Sequence, residues 1–252
     1  MKIDLTKEIV IGKILDPKKA VKRLNLSGES HLNKSVLVEN FLLLNTRSRN
    51  ASMFFVQSSK EYQEAENLAK QLGLGFKVRT VSSIIPKRNF RLETMSYRAF
   101  TFINEEKSKE IDRLHITEPT SSLDLVTQFS PLTAKSLGSL LDYDFCCALT
   151  YAQDIGSLAD PDERIFIQVN SYKDKKRKIN LDSFYVEEVV PCKPDCGNAA
   201  TKGRKYEQDL RTQVGDIVAD IYRNLKSEHF KDIEEGRILE RKKEGRERVG
   251  WF

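Results

Sequence analysis

Apolar and polar positions alternate in short runs over the first half of the chain and gather into helical stripes in the second. Residues 53–57 read as a short strand. Ser58, with Glu61 three positions on, resembles a capping box. The helix it opens runs to Leu72, with Tyr62, Ala65, Ala69 and Leu72 on one face at spacings 3, 4, 3. Gly73 and Gly75 stand where a helix C-terminus is expected. Residues 76–82 predict a second strand. Residues 91–103 predict a third, whose alternation changes phase near Tyr97, the mark of a bulge or a split. A short charged helix over 105–113 and a strand over 114–117 complete a β-α-β-β-α-β order, the split βαβ or ferredoxin-like arrangement.

Outside this unit the signals are more local. Asp16-Pro17 pairs an N-cap with a proline at the first helical position and predicts a short basic helix to about residue 25. Residues 35–45 are too densely apolar to assign by period and read as a buried helix or strand. Ser130-Pro131 repeats the N-cap signal for a helix to about 141, while 144–151 fits either element. Asp160-Pro161 reads as a turn. Ile165, Ile167 and Val169 then alternate along a strand, residues 178–190 are extended, and a charged loop between them predicts a β-hairpin over about 164–190. From residue 205 a single long helix is expected, with Tyr206, Leu210, Val214, Ile217, Ile221 and Leu225 spaced 4, 4, 3, 4, 4. The expected fold is α+β: a mixed or antiparallel sheet carrying the ferredoxin-like segment (about 53–117), the hairpin and a helical, charged C-terminus. Residues 1–118 form a basic α/β part, 119–230 a hairpin-and-helix part packed with it as one unit, and 231–252 a charged tail ending in Trp251-Phe252.

Composition narrows the class. At 39% hydrophobic and 31% charged, the 252 residues can fill a core under a heavily solvated surface, which excludes a collagen-like or fully disordered chain. No run approaches the roughly 18 apolar residues of a membrane helix, and charges interrupt the first 15 residues, so neither a membrane partner nor a secretory leader is expected. Four cysteines are too few for a disulfide scaffold and suit a reducing compartment: intracellular, cytoplasmic, or nuclear in a eukaryotic host. The net charge of +5 hides an asymmetry. Residues 1–100 carry +9, residues 101–163 carry −8 and residues 164–252 carry +4. A basic surface attracts polyanions even when the total is modest.

The candidate chemistry follows the cations. Lys18, Lys19, Lys22 and Arg23 share one side of the first basic helix. Lys87 and Arg88 flank the third strand, and Lys173, Lys175, Lys176, Arg177 and Lys178 crowd the expected hairpin tip. This last run would also serve as a nuclear-import signal in a eukaryotic host. Phe54-Phe55-Val56-Gln57 resembles the first-strand motif of the RNA-recognition motif, and Tyr97-Arg98-Ala99-Phe100-Thr101-Phe102 its third-strand motif. The resemblance implies base stacking on Phe55 and Tyr97. It departs from the pattern at Ala99, where a second aromatic belongs, and the family is not assigned on it.

Cys192 and Cys196, with three residues between them, would complete four zinc ligands with Cys146 and Cys147 or a histidine. Zinc knuckles usually leave two or four residues between cysteines, and adjacent cysteines in an apolar run suit core packing, so no metal or cofactor is expected from sequence. Asp160, Asp162 and Glu163 precede the expected strand as a nuclease's metal ligands would, but no lysine follows on it. His31, His115 and His229 belong to no catalytic signature, and the chain has no Gly-x-Ser-x-Gly, phosphate loop or His-Glu-x-x-His. The expectation is a non-enzymatic nucleic-acid-binding protein within a larger assembly. It would contact the backbone of RNA or single-stranded DNA with little sequence preference. Two alternatives stand beside it. One is a structural or adaptor subunit that binds proteins through the acidic 101–163 segment and the C-terminal tail. The other is a divalent-metal nuclease.

Overall fold

The computed structural model describes residues 32, 34–56, 58–87, 90–113, 131–157, 160–186 and 189–240. The basic helix expected over 16–25, the strand expected over 114–117 and Trp251-Phe252 lie outside them. The dense apolar stretch at 35–45 is helical: α1 (Lys34–Leu37), a π-helical turn (Val38–Leu42) and α2 (Leu43–Asn45). Leu37, Val38, Phe41, Leu42, Leu43 and Leu44 are all buried, so no amphipathic period is visible in it. The widened turn leaves backbone acceptors for side chains. Buried Arg49 donates to the carbonyl of Glu39 at 3.2 Å, and Thr101 donates to that of Asn40 at 2.9 Å.

Next come β1 (Ala51–Val56), α3 (Ser59–Gln71), β2 (Gly75–Lys87), β3 (Phe90–Phe102) and α4 (Glu105–Arg113). The α3 cap is as read: the Ser58 hydroxyl accepts from the Glu61 N–H at 3.2 Å, and Gly73 takes φ +64° just past the helix end. The sheet order is β1-β3-β2, with β3 antiparallel to both neighbours, so β3 is inserted between the two strands that α3 connects. The described sheet is three-stranded. Pairing of β2 with β3 runs without interruption from Gly75↔Phe102 to Lys87↔Phe90, so the phase change near Tyr97 is not a bulge. It reflects burial on both faces. Phe54, Val56 and Ala99 pack in the core with α1, the π turn and α3, while Met53, Phe100 and Phe102 pack against Ile111, Leu137 and Leu140.

The second half is helical: α5 (Pro131–Leu140), α6 (Phe145–Gly156), α7 (Pro161–Asp174), a 3-10 turn (Leu181–Ser183), α8 (Gly197–Gln213) and α9 (Asp216–Glu234). The hairpin expected over 164–190 is therefore corrected. Asp160 is an N-cap, its carboxylate accepting from the Asp162 N–H at 2.9 Å, and Pro161 opens a helix as Pro131 does. Ile165, Val169 and Tyr172 face inward at helical spacing, while Ile167, which completed the apparent alternation, is 58% exposed. The single long helix is likewise two. Gly215 at φ +132° breaks it, and the inward stripe resumes on Val218, Ala219 and Tyr222, leaving Ile217 61% exposed.

One glycine fixes how α8 docks. A Cβ at Gly203 would meet the Asp182 carbonyl oxygen at 2.2 Å and the Tyr185 Cβ at 2.9 Å. Gly203→Ala is expected to destabilise the fold by about 2–3 kcal/mol through overpacking against backbone. Urea denaturation reads this as a lower midpoint at unchanged slope. An unchanged midpoint would mean that the contact gives way freely.

Candidate metal centre

Four thiols from separate parts of the helical half meet beside the core. Cys146 and Cys147 occupy the first turn of α6, Cys192 lies in the loop that follows Pro191, and Cys196 is the N-cap of α8. One potential ligand atom from each lies within 4.8 Å of all the others. The Sγ separations are 3.7 Å for Cys146–Cys196, 3.8 Å for Cys147–Cys196 and 4.0 Å for Cys146–Cys147. A tetrahedron with zinc–sulfur bonds of about 2.3 Å has edges of about 3.8 Å. Three of the sulfurs stand at the spacing one tetrahedral ion requires, with Cys192 in the same cluster. All four cysteines are free, and Cys147 and Cys196 are buried.

The surroundings suit thiolates. Cys146 and Cys147 stand at the positive end of the twelve-residue α6, and Cys196 at that of the seventeen-residue α8. Hydrogen bonds from Cys147 and Cys192 hold Cys196 well below the ordinary thiol range, with the Ala199 N–H adding to them. The same sharing pushes the Cys147 thiol up, through its bonds with Cys192 and Cys196 and through burial. The shared hydrogen bonds thus push thiols of one cluster in opposite directions. A divalent cation would replace the remaining protons, since metal-bound cysteine is thiolate.

The backbone carrying the sulfurs is held from several sides. Arg164 donates to the carbonyls of Pro191 and Cys192, both at 3.2 Å, and is paired with Asp154 at 2.7 Å. The Cys196 carbonyl accepts from Ser183 Oγ at 3.1 Å and from the Ala200 N–H at 2.9 Å. Asp144, just before α6, is pushed up by burial, with Lys202 3.8 Å away opposing. Such outer contacts orient metal ligands.

The residues chosen from sequence are distributed differently from expectation. In the register of β1 with β3, Phe55 is paired with Arg98 and Val56 with Tyr97. Lys87 ends β2, whereas Arg88, Lys18, Lys19, Lys22 and Arg23 lie outside the described residues. Lys173 is in the last turn of α7 and pairs with Glu234 at 2.8 Å. Lys175, Lys176, Arg177 and Lys178 follow as an exposed helix-ending turn rather than a hairpin tip. Asp160, Asp162 and Glu163 open a helix, so the strand on which the nuclease reading depended is absent there. Several carboxylates of the acidic segment pair within the chain: Asp112 with Lys77, Glu110 with Lys107, Asp154 with Arg164, and Asp142 with Lys202.

Each half of the cluster's sequence pattern is atypical of a metal site. The feature that makes it a site is convergence in space, which no spacing rule encodes. Among the described residues no helix is long and apolar enough to cross a membrane. No protein-family model, curated protein or solved structure matches this chain.

Proposed function

We propose that this chain is a zinc-binding protein in which Cys146, Cys147, Cys192 and Cys196 hold one structural ion. The observation that carries the reading is the set of Sγ separations of 3.7, 3.8 and 4.0 Å among three of the thiols, with the fourth in the same cluster. A multi-iron cluster places several metals and bridging sulfides among its cysteines. The compact spacing favours a single ion. Four thiolate ligands fill a tetrahedral zinc and leave no open position for water or substrate, so the centre joins α6 to the α8 N-terminus and does no hydrolysis.

Metal analysis of protein purified without chelator is expected to give one zinc per chain. Cobalt substitution is expected to give the absorption of a tetrahedral all-thiolate site, and Cys192→Ser to remove both signals. A chain that stays metal-free after reconstitution under reducing conditions would overturn the reading.

A further inference from the structure

We infer that the turn following α7 is a nucleic-acid phosphate clamp, held in shape by the metal-centre loop. The inference rests on the proposed zinc reading for its rigidity, but its cations stand on independent geometry. Lys173, Lys175, Lys176, Arg177, Lys178 and Lys193 are all exposed on this face, against Asp174, Asp195 and Glu234, a net charge of +3. Lys175, Lys176 and Lys178 have no ion-pair partner among the described residues.

The turn is fixed rather than loose. The Lys176 N–H donates to the Lys173 carbonyl at 2.9 Å and the Arg177 N–H to the Tyr172 carbonyl at 2.8 Å, a Schellman-type ending. The Arg177 guanidinium lies 4.1 Å over the Tyr172 ring, whose hydroxyl donates to Asp195 at 3.0 Å. Asp195 also meets Lys193 at 3.5 Å, and the Asn180 N–H donates to the Pro194 carbonyl at 3.0 Å. Asp195 and Pro194 lie between Cys192 and Cys196. The loop that carries two of the sulfurs therefore buttresses the turn on both sides.

A second observation is the residue at the left-handed position. Lys176 takes φ +50°, where helix endings favour glycine. A lysine in this conformation is strained by about 1 kcal/mol. What it retains over glycine is an exposed ammonium between two others. Residues 173–178 contain no apolar side chain to enter a membrane or a peptide groove, and Tyr172 is buried beneath Arg177. The surface offers charge alone, which suits a phosphodiester backbone and gives no reading of base sequence.

The test is fluorescence anisotropy of the full-length zinc-loaded chain with labelled single-stranded RNA, single-stranded DNA and duplex DNA over about 50–200 mM salt. Three phosphate contacts to a single strand predict a log–log salt slope of about −2, or roughly a twentyfold loss across that range. Lys175→Gln/Lys176→Gln/Lys178→Gln is expected to remove most of the slope. Lys176→Gly is the discriminating variant, expected to raise the melting temperature while flattening the slope by about 0.7. A purely structural lysine would give the first change without the second. Absence of binding at about 50 mM salt, a slope unchanged in the triple variant, or binding to anionic vesicles but not to nucleic acid would overturn the inference. Metal content measured on the same sample separates the two readings. One zinc per chain without nucleic-acid binding sinks the clamp alone, and binding by a chain that holds no metal sinks the zinc centre alone.

Discussion

Cys196→Ser is expected to lower the melting temperature by roughly 8–16 °C and to weaken the hold on the bound metal. Structural zinc sites contribute about 10–16 kcal/mol of binding free energy in small peptides. Losing one ligand of four removes roughly a quarter to a third of that, about 4 kcal/mol, and a domain of this size shifts by about 2–4 °C per kcal/mol. Serine is chosen because it is a good N-cap, so α8 keeps its start and the loss reports on the metal. Cys147 and Cys196 both belong to the largest core cluster, together with Tyr185, Tyr206 and Leu210. Metal loss is therefore expected to loosen the docking of α8 as well as the loop. Chelating the native chain should lower the melting temperature further than the substitution does, because it removes four bonds to the ion rather than one, and the chelated variant should melt with the chelated native chain. If variant and native chains melt within about 2 °C of each other, less than 1 kcal/mol depends on the fourth ligand and the ion is not structural.

The reading of the sequence succeeded where the signal was local and failed where one motif serves two elements. Ser58, Glu61 and Gly73 bounded α3 correctly because caps and left-handed endings are chemistry of a few neighbouring residues. Pro131 likewise stands at the first position of α5. Asp160-Pro161 carries an equal signal, yet Ile165, Ile167 and Val169 outweighed it. Three apolar residues at alternate positions are compatible with a helix if one of them, here Ile167, faces solvent. The stripe from Tyr206 to Leu225 was also real on each side of Gly215, but the break turned the second half by about one position. Its most buried residues are Val218, Ala219 and Tyr222, with Ile221 and Leu225 packed partly buried against the same core and Ile217 left exposed. For β3, alternation is uninformative because Ala99 and Phe100 are both buried, one on each face. The cysteine cluster failed for a different reason. Vicinal cysteines cannot be told from a buried apolar pair until another part of the chain is brought to them.

Lys226→Met is expected to destabilise the fold by about 3 kcal/mol, the low end for breaking a buried charge pair. Lys226 is 2% exposed, and its ammonium lies 2.6 Å from Asp182 and 3.0 Å from Glu207. Methionine keeps the length of the side chain but removes the cation the two carboxylates share, leaving Asp182 with Arg204 at 3.6 Å and Glu207 with Arg211 and Arg223. Both retain some contact with water, which holds the effect to the low end. The same network sets an acid limit on stability. Burial works to raise the Glu207 pKa, but hydrogen bonds from Arg223 and Lys226 outweigh it and hold the carboxyl below its ordinary range. Because the folded pKa is depressed, this stabilisation is complete above the unfolded value, near pH 4.3, and disappears as pH falls through the folded one. In that window the unfolded chain binds more protons, so stability rises with pH. Urea midpoints measured from pH 7 down to about pH 3 should therefore fall less steeply in Lys226→Met than in the native chain, because the variant has already lost one of the bonds that depress Glu207. Adding Glu207→Gln to Lys226→Met should recover part of the loss at neutral pH by relieving the repulsion between two carboxylates that no longer share a cation. Equal acid profiles in the native and Lys226→Met chains, or no recovery in the double variant, would show that the ammonium contributes packing rather than charge.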